Sequence, residues 1–256
     1  MKSRHTRLLS LLPVAALAVT LAVAGTAQAT TIYSDTLLGS GSALHATTVD
    51  SSLTFAGGTA GATWTAAASY NQTATGTVGS STSTQGAYLP FTPQDGHVYT
   101  LTATLEYLVA SSNWAALGFQ TQADLTNDQF HGAAGNAYAW TLVRGSGGGD
   151  PQFFGGGDTA NGAGAYASGS SGLQTVTITL NTTGASWTTY ATINGFNSAT
   201  VTYGTKPTDI AYVGFGGVGT ISNTTNFSLT TNVVPEPTTA LLGGLGLLSL
   251  LRRRRV

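Results

Sequence analysis

The chain of 256 residues contains no cysteine, and only 7% of its residues are charged. Disulfides and thiolate metal sites are therefore excluded, so a folded domain must be held by packing and backbone hydrogen bonds. Basic residues are scarcest in residues 30–237. This range contains only two of them, Arg144 and Lys206, and ten acidic residues. The net charge there is about −8, compared with −1 for the whole chain. We predict no nucleic-acid partner, because phosphate binding requires clustered Lys or Arg.

Motifs of common enzyme classes are also missing. The chain has no Gly-x-Ser-x-Gly, no His-Glu-x-x-His and no Gly-x-x-x-x-Gly-Lys, which position a nucleophile, a catalytic zinc and a phosphate. The histidines His45, His97 and His131 lie in separate segments, and we predict surface or turn positions for them. Glu106 is the only glutamate in residues 30–232, and threonines surround it, which predicts a solvated strand face. We assign no catalytic, cofactor or metal residues and predict that the protein is not an enzyme.

An apolar run follows the N-terminus. Basic residues within the first seven positions precede this run at 8–24. Ala27 and Ala29 then fit the small-x-small pattern for cleavage before Thr30. We predict that residues 1–29 are a signal peptide, which directs the chain to the secretion machinery and is removed by signal peptidase. An uncleaved N-terminal anchor is the alternative.

Three features follow one another at the C-terminus: a segment that its prolines keep out of a helix, an apolar run, and four adjacent arginines. The first segment is Val234, Pro235, Glu236 and Pro237, and the last is Arg252, Arg253, Arg254 and Arg255. The arginines are expected to stay on the cytoplasmic side of a membrane. A helix over residues 238–251 would span roughly 21 Å, less than the roughly 30 Å hydrocarbon core, and would therefore anchor weakly. A disordered tail or a buried terminal helix is the alternative.

This C-terminal arrangement resembles the PEP-CTERM sorting signal of bacterial envelope proteins, which a membrane protease of the exosortase type cuts near Pro-Glu-Pro. The resemblance implies that residues 233–256 contain the motif, a short hydrophobic helix and the arginine cluster of a sorting signal. It also implies an exported protein that this helix anchors transiently before delivery to the cell surface or extracellular matrix. Signal peptidase and an exosortase-type protease are therefore the predicted partners.

Residues 30–232, which we assign to one domain, have apolar residues in phased blocks. The clearest block has one apolar face, formed by Tyr99, Leu101, Ala103, Leu105 and Tyr107. Its other face consists of threonines and a glutamate. A period of two over this length predicts a half-buried antiparallel strand.

Further blocks repeat along the domain at intervals of roughly ten residues. They cover residues 31–38, 87–91, 114–120, 137–144, 175–180, 187–193, 196–203, 210–215 and 226–230. Asn194-Gly195 predicts a two-residue hairpin, and the small polar residues 71–84 predict a long exposed loop. About eleven or twelve strands with no helical period predict an all-β fold, a two-sheet antiparallel sandwich of jelly-roll type.

The order of the blocks also resembles concanavalin-like (laminin-G-like) domains. The matching segments are residues 33–35, 114–119, 139–144 and 226–229. The resemblance implies two alternatives to a non-enzymatic surface or matrix protein. One is a lectin-like module that binds extracellular polysaccharide. The other, a glycoside hydrolase, is weaker, because that chemistry needs a pair of carboxylates and no strand pairs one with Glu106.

Tryptophans are candidates for sugar platforms in such a module. The domain has four of them, Trp64, Trp114, Trp140 and Trp187. Aromatic residues in strands belong more often to the core, so we predict core positions for all four. Threonine-rich strand faces could either carry glycans or simply keep one face of a sheet polar.

Gly-Gly-Gly-Asp occurs twice, at 147–150 and 155–158. Asp150 and Asp158 could share a Ca²⁺ ion, since hard cations take oxygen ligands from aspartates and loop carbonyls. Flexible turns around a short strand are the simpler interpretation, and we predict no cofactor.

Overall fold

The computed structural model describes residues 29–107, 114–123, 137–144, 151–156 and 172–233. These residues form fourteen strands and contain no helix. The first seven are β1 (Thr30–Asp35), β2 (Ser51–Ser52), β3 (Thr65–Ala66), β4 (Asn71–Thr73), β5 (Gly76–Pro90), β6 (His97–Tyr107) and β7 (Trp114–Gln120). The others are β8 (Ala137–Arg144), β9 (Gln152–Phe154), β10 (Gln174–Asn181), β11 (Thr188–Ile193), β12 (Phe196–Asn197), β13 (Val201–Thr202) and β14 (Tyr212–Val233).

The alternation predicted for β6 and β10 is present. Leu101 and Ile178 face each other across the two strands and are fully buried. Thr102 and Thr177, one position along, turn to the opposite face, where their hydroxyl oxygens lie 3.1 Å apart. The hairpin predicted at Asn194-Gly195 is also confirmed, with positive φ of 48° and 87° at the two residues.

The strands form two layers that share β14. In the first layer, β6 lies between β10 and the C-terminal half of β14, which pairs on its other side with β1. In the second layer, β7 lies between β8 and the N-terminal part of β14, which also pairs with β5. All these pairs are antiparallel. The all-β, two-layer antiparallel sandwich predicted from the sequence is therefore confirmed.

The main core lies between the layers. Leu101 and Ile178 of the first layer belong to the same buried cluster as Leu117, Phe119 and Phe153 of the second. Burying large apolar side chains such as these contributes roughly 1.5–3 kcal/mol each. In a chain without cysteine, this burial and the strand ladders supply the stability.

The prediction of an exposed loop at 71–84 is wrong. β4 and the start of β5 form a hairpin there, with Thr73 paired to Gly76. The small residues that suggested a loop are compatible with a strand, and pairing with β14 decides between the two. Thr77 is fully buried, and its hydroxyl donates to the carbonyl of Leu37 at 3.2 Å.

The blocks at 210–215 and 226–230 belong to one strand of 22 residues, β14, rather than two. Their sequence pattern predicts two separate blocks. The backbone there stays paired, and the register shifts between Gly217 and Ser222. A second shift, between Thr225 and Ser228, contains Asn226 at a φ of 54°. Local irregularity of this kind bends a strand without ending it, and the domain has fourteen described strands instead of eleven or twelve.

Replacing Gly76 tests the β4–β5 hairpin. Gly76 has a φ of 125°, and an added Cβ would lie 2.8 Å from the carbonyl oxygen of Thr224. We expect Gly76→Ala to lower the free energy of unfolding by about 1–3 kcal/mol in urea denaturation, because alanine is strained there. Gly156→Ala is the control, since a Cβ at Gly156 meets nothing within 4 Å. Equal stability of the two variants would contradict the hairpin.

Candidate functional site

The two ends of the domain lie on adjacent strands. β1 begins at Thr30, which pairs with Thr231 of β14. β14 ends at Val233, which pairs with His97 at the start of β6. Ala29, the residue before the predicted signal-peptidase cut, is exposed. Thr30, the predicted first residue of the mature chain, and Val233, the first residue of the predicted sorting signal, therefore lie on adjacent strands.

His97 is a titratable residue at this junction, paired with Val233. Its ring stacks on Tyr99 and meets the edge of Phe55, and its Nδ1 lies 3.2 Å from the hydroxyl of Thr231. Burial lowers the pKa of the imidazole, because the charged form loses solvation. His97 thus lies half-buried at the first position of β6, rather than in a turn or on the open surface. His45 is exposed and accepts from the backbone N–H of Ala66 at 3.3 Å.

A second cluster of apolar residues covers the outer face of the second layer. We call it the outer-face cluster, and its buried members are Tyr88, Trp114, Ala116, Trp140, Leu142 and Phe154. The rings of Trp140 and Phe154 are stacked, with centroids 3.8 Å apart. Every residue of β7 is buried, so this strand has apolar surroundings on both faces. A continuous apolar run such as Trp-Ala-Ala-Leu-Gly-Phe could have signalled this, since strands buried on both faces lose the alternation.

Glycines lie beneath the aromatic rings of the outer-face cluster. Gly118 pairs with Gly214 on one side and with Trp140 on the other. A Cβ on Gly118 would lie 2.5 Å from the Cβ of Trp140, and one on Gly86 would lie 2.5 Å from the Cζ of Tyr88. The ring of Tyr88 therefore occupies the space that a side chain at Gly86 would fill, and the Cβ of Trp140 lies against Gly118.

Gln120 shares the outer face of β7 with this cluster. Its side chain is fully buried, and neither the amide oxygen nor the amide nitrogen has a hydrogen-bond partner. Its cross-strand neighbours are Tyr212 and Ala137. An unpaired buried polar group costs about 1–3 kcal/mol. Burying the side-chain amide of Gln120 therefore lowers the stability of the fold. Nothing in the sequence around Gln120 indicated that its side chain would be buried without a partner.

Two buried indoles are held by carboxylates. Asp35 accepts from Nε1 of Trp64 at 2.7 Å and from the backbone N–H of Leu37 at 2.7 Å. Desolvation raises the pKa of Asp35. Asp95 accepts from Nε1 of Trp187 at 2.8 Å and from Nζ of Lys206 at 2.7 Å. The Lys206 hydrogen bond lowers the pKa of Asp95.

Glu106 has the strand-face position predicted for it. Its Oε2 accepts from the side-chain amide of Asn223 at 3.2 Å, and Asn223 is its cross-strand partner. Asp50, another described acid, accepts from the backbone N–H and the hydroxyl of Thr36. Among the residues that the structure describes, no group of three or more His, Asp or Glu residues could hold a metal ion.

All four tryptophans are buried, with exposures from 1% at Trp64 to 8% at Trp114. The predicted core positions are therefore confirmed. Trp64 packs edge-on against Phe215 and Phe227 at centroid distances of 5.3 and 5.0 Å. Trp114 and Trp140 differ from the other two, because they belong to the outer-face cluster rather than to the core between the layers.

Comparison with known families identifies one segment of the chain. Residues 233–255 match the PEP-CTERM protein-sorting motif. The chain carries a PEP-CTERM sorting motif. The sequence-based identification of the C-terminal signal is therefore confirmed, and the motif marks the chain as an exported protein that is sorted at the membrane.

Solved structures similar to the chain are β-sandwich proteins, whereas a comparison with curated protein sequences gives no match. The carbohydrate recognition domain of Emp47p is 13% identical, with a TM-score of 0.48 over 79% of this chain and 96% of that one. An endo-1,3-beta-glucanase from Streptomyces sioyaensis is 11% identical, with a TM-score of 0.48 over 82% and 99%. Carbohydrate-binding module CBM66 from Bacillus subtilis is 11% identical, with a TM-score of 0.43 over 65% and 94%.

Several predicted site residues lie outside the described part of the chain. These are Ala27, His131, Asp150, Asp158, Val234, Pro235, Glu236, Pro237, Arg252, Arg253, Arg254 and Arg255. The hydrophobic helix predicted within the PEP-CTERM segment lies there too. Within the described ranges, no helix is long and apolar enough to cross a membrane. The Ca²⁺ alternative at the Gly-Gly-Gly-Asp repeats stays a prediction.

The lowered pKa of His97 predicts a pH-dependent stability. Between the folded pKa and the ordinary value near 6.5, the unfolded chain binds more protons than the folded one, so stability falls as the pH falls through this range. We expect urea midpoints measured from pH 8 down to pH 5.5 to fall less for His97→Gln than for the unsubstituted protein. Parallel curves for the two proteins would show that His97 does not titrate differently on folding.

Proposed function

We propose that this chain is an exported, non-enzymatic protein of the cell surface or extracellular matrix. In this proposal, signal peptidase removes residues 1–29, and an exosortase-type membrane protease cuts near Pro235-Glu236-Pro237. The observation that carries the proposal is the PEP-CTERM match at 233–255, which begins at the last residue of β14. The folded domain therefore connects directly to its sorting signal.

The contacts of the acidic residues support a non-enzymatic role. Asp35 and Asp95 each accept a hydrogen bond from an indole N–H. Asp50 accepts from the backbone N–H of Thr36, and Glu106 accepts from the side-chain amide of Asn223. A retaining or inverting glycosidase needs two carboxyl groups about 5–10 Å apart across a substrate groove. Each of these four carboxylates instead accepts a hydrogen bond from a structural partner elsewhere in the domain.

Intact-mass measurement on protein from the native cell surface tests the sorting proposal. We expect a chain that begins at Thr30 and lacks the cluster from Arg252 to Arg255. Glu236→Ala should retain the arginines and remain in the membrane fraction, because the protease no longer recognises the motif. Thr239→Ala is the matched control and should be processed normally. A surface protein that still carries the arginines, or a cytosolic location, would contradict the proposal.

Carbohydrate binding at the outer-face cluster is the second candidate function. Gln120 favours it, because a buried amide with an unpaired donor and an unpaired acceptor matches sugar hydroxyl groups, which both donate and accept. Its cross-strand partner Tyr212 is half-buried and packs against the outer-face cluster. Ligand sites commonly combine apolar walls with a few fixed polar groups.

Gln120→Leu separates a ligand-binding role from a purely structural one. Removing the unpaired amide should stabilise the fold by about 1–3 kcal/mol whatever its role. If Gln120 binds a sugar, binding on a glycan array, run in calcium and in chelator, should be lost in the same variant. Gln122→Leu is the control, because Gln122 is exposed two residues further along. Binding that persists in Gln120→Leu, or no binding by the unsubstituted protein, would eliminate this site.

A further inference from the structure

The outer face of the first layer consists mainly of hydroxyl side chains. In β10 and β14, Ile178 and Leu229 are fully buried and point into the core. Their neighbours Thr177 and Ser228 point the other way and are half-buried. The same alternation occurs in β6, so the three central strands all present hydroxyl groups on the side away from the core.

The strand register places these hydroxyl groups in rows across the sheet. One row has one hydroxyl residue on each of β11, β10, β6, β14, β1 and β2, in that order: Thr192, Thr177, Thr102, Ser228, Ser34 and Ser51. The next row along β6 contains Thr179, Thr100, Thr230 and Thr31. We call these two rows the hydroxyl face. Adjacent strands are about 4.7–4.9 Å apart, so the hydroxyl groups repeat at that spacing along each row.

The hydroxyl face is uncharged, although the domain around it is acidic. Its members are all Ser or Thr, and Glu106 lies on the same side of β6 four residues beyond Thr102. Residues 30–237 together have a net charge of about −8. Two domains of this charge repel each other, and the repulsion is weakest where the surfaces that meet carry no charge. A contact made at the hydroxyl face therefore avoids most of this repulsion.

A second copy of the chain is the partner that matches such a grid. Each hydroxyl group donates one hydrogen bond and accepts up to two, so a hydroxyl surface is complementary to itself. A second sheet with the same strands also has the same spacing, and sheets pack face to face with their strands within about 30° of each other. A sugar is a poorer match, because ligand sites usually offer aromatic walls. The rows contain no aromatic residue, and Tyr190 lies at their edge, opposite Thr179.

The outer face of the first layer is large enough for a dimer. The five strands β11, β10, β6, β14 and β1 cover about 24 Å at the usual strand spacing. The eight residue steps of β6 from Val98 to Glu106 cover about 26 Å. The face therefore measures about 600 Å² in each copy, or about 1,200 Å² in a pair. This is the lower end of the range for specific interfaces, with Glu106 at the rim, and it fits a reversible dimer.

We propose that two copies of the chain associate through the hydroxyl face, with the two-fold axis close to Thr102. β6 is the middle one of the five strands, and Thr102 is its central residue. In a closed pair of identical chains, both copies use the same surface, so the residue at the centre meets its own counterpart. The pairing goes beyond the proposed function and does not depend on it. On a cell surface or in a matrix, it would join neighbouring copies.

Sedimentation of the protein recovered from cells tests the pairing. We expect the unsubstituted protein to be a dimer at about 100 µM. Thr102→Lys should raise the dissociation constant of the dimer at least about 100-fold, because two added cations meet at the axis. Thr63→Lys is the matched control, since it makes the same change at an exposed position beside β3, and it should leave the constant unchanged.

Three results of this comparison would overturn the proposal. One is a monomeric unsubstituted protein at the same concentration. Another is an equal loss of the dimer in Thr102→Lys and Thr63→Lys, because the effect would then not be located at the hydroxyl face. The third is a monomer that binds a neutral polysaccharide and loses this binding in Thr102→Lys, which would assign the face to a sugar.

A cysteine variant keeps the proposal testable if Thr102→Lys fails to fold. The chain has no cysteine, so Thr102→Cys places a single thiol at the proposed axis with little change in size. Sheets packed face to face are about 10 Å apart. A bismaleimide with a spacer of about that length should therefore join two Thr102→Cys chains into a covalent dimer, whereas Thr63→Cys should remain monomeric on a denaturing gel. No cross-linking of Thr102→Cys, or equal cross-linking of both variants, would show that the hydroxyl face does not pair.

Discussion

Backbone pairing along β14 is the interaction on which the rest of the domain depends. The strand pairs with β5 and β7 in its first part, and with β6 and β1 in its last part. It therefore belongs to both layers and connects them through one continuous ladder. The chain has no cysteine and few charged residues, so no disulfide could replace this ladder if it failed. The same strand ends where the sorting motif begins, and this links the stability of the fold to the position of the signal.

The two layers differ in what they bury. The first layer has one apolar face and one threonine-rich face, as Leu101 and Thr102 illustrate. The second layer is apolar on both faces, and the ring of Tyr88 in the outer-face cluster lies over Gly86. Gln120 is the polar exception within that second face. An unpaired amide in such surroundings lowers stability, and this cost is the physical reason to examine Gln120 for a binding role.

Much of this architecture was predictable because the signals are local. The alternation in β6 and β10, the aromatic blocks that became β7 and β8, and the Asn194-Gly195 turn each depend on a few adjacent residues. The sorting motif was predictable for the same reason. Residues 71–84 and the continuity of β14 were not, because threonine, serine and glycine suit loops and strands alike, and distant partners decide between them. The isolation of Gln120 depends on the two strands beside β7, β14 and β8, and could not be derived from its own segment.

Hydrogen exchange on the exported protein tests most directly whether the paired ladder reaches the sorting motif. We predict that the amides of residues 228–233 that bond to β1 and β6 exchange slowly, at rates close to those of central β6 residues. Exchange in 228–233 as fast as in an exposed loop would mean that the motif is joined to the domain by a flexible linker. The close coupling of fold and sorting signal described above would then be wrong.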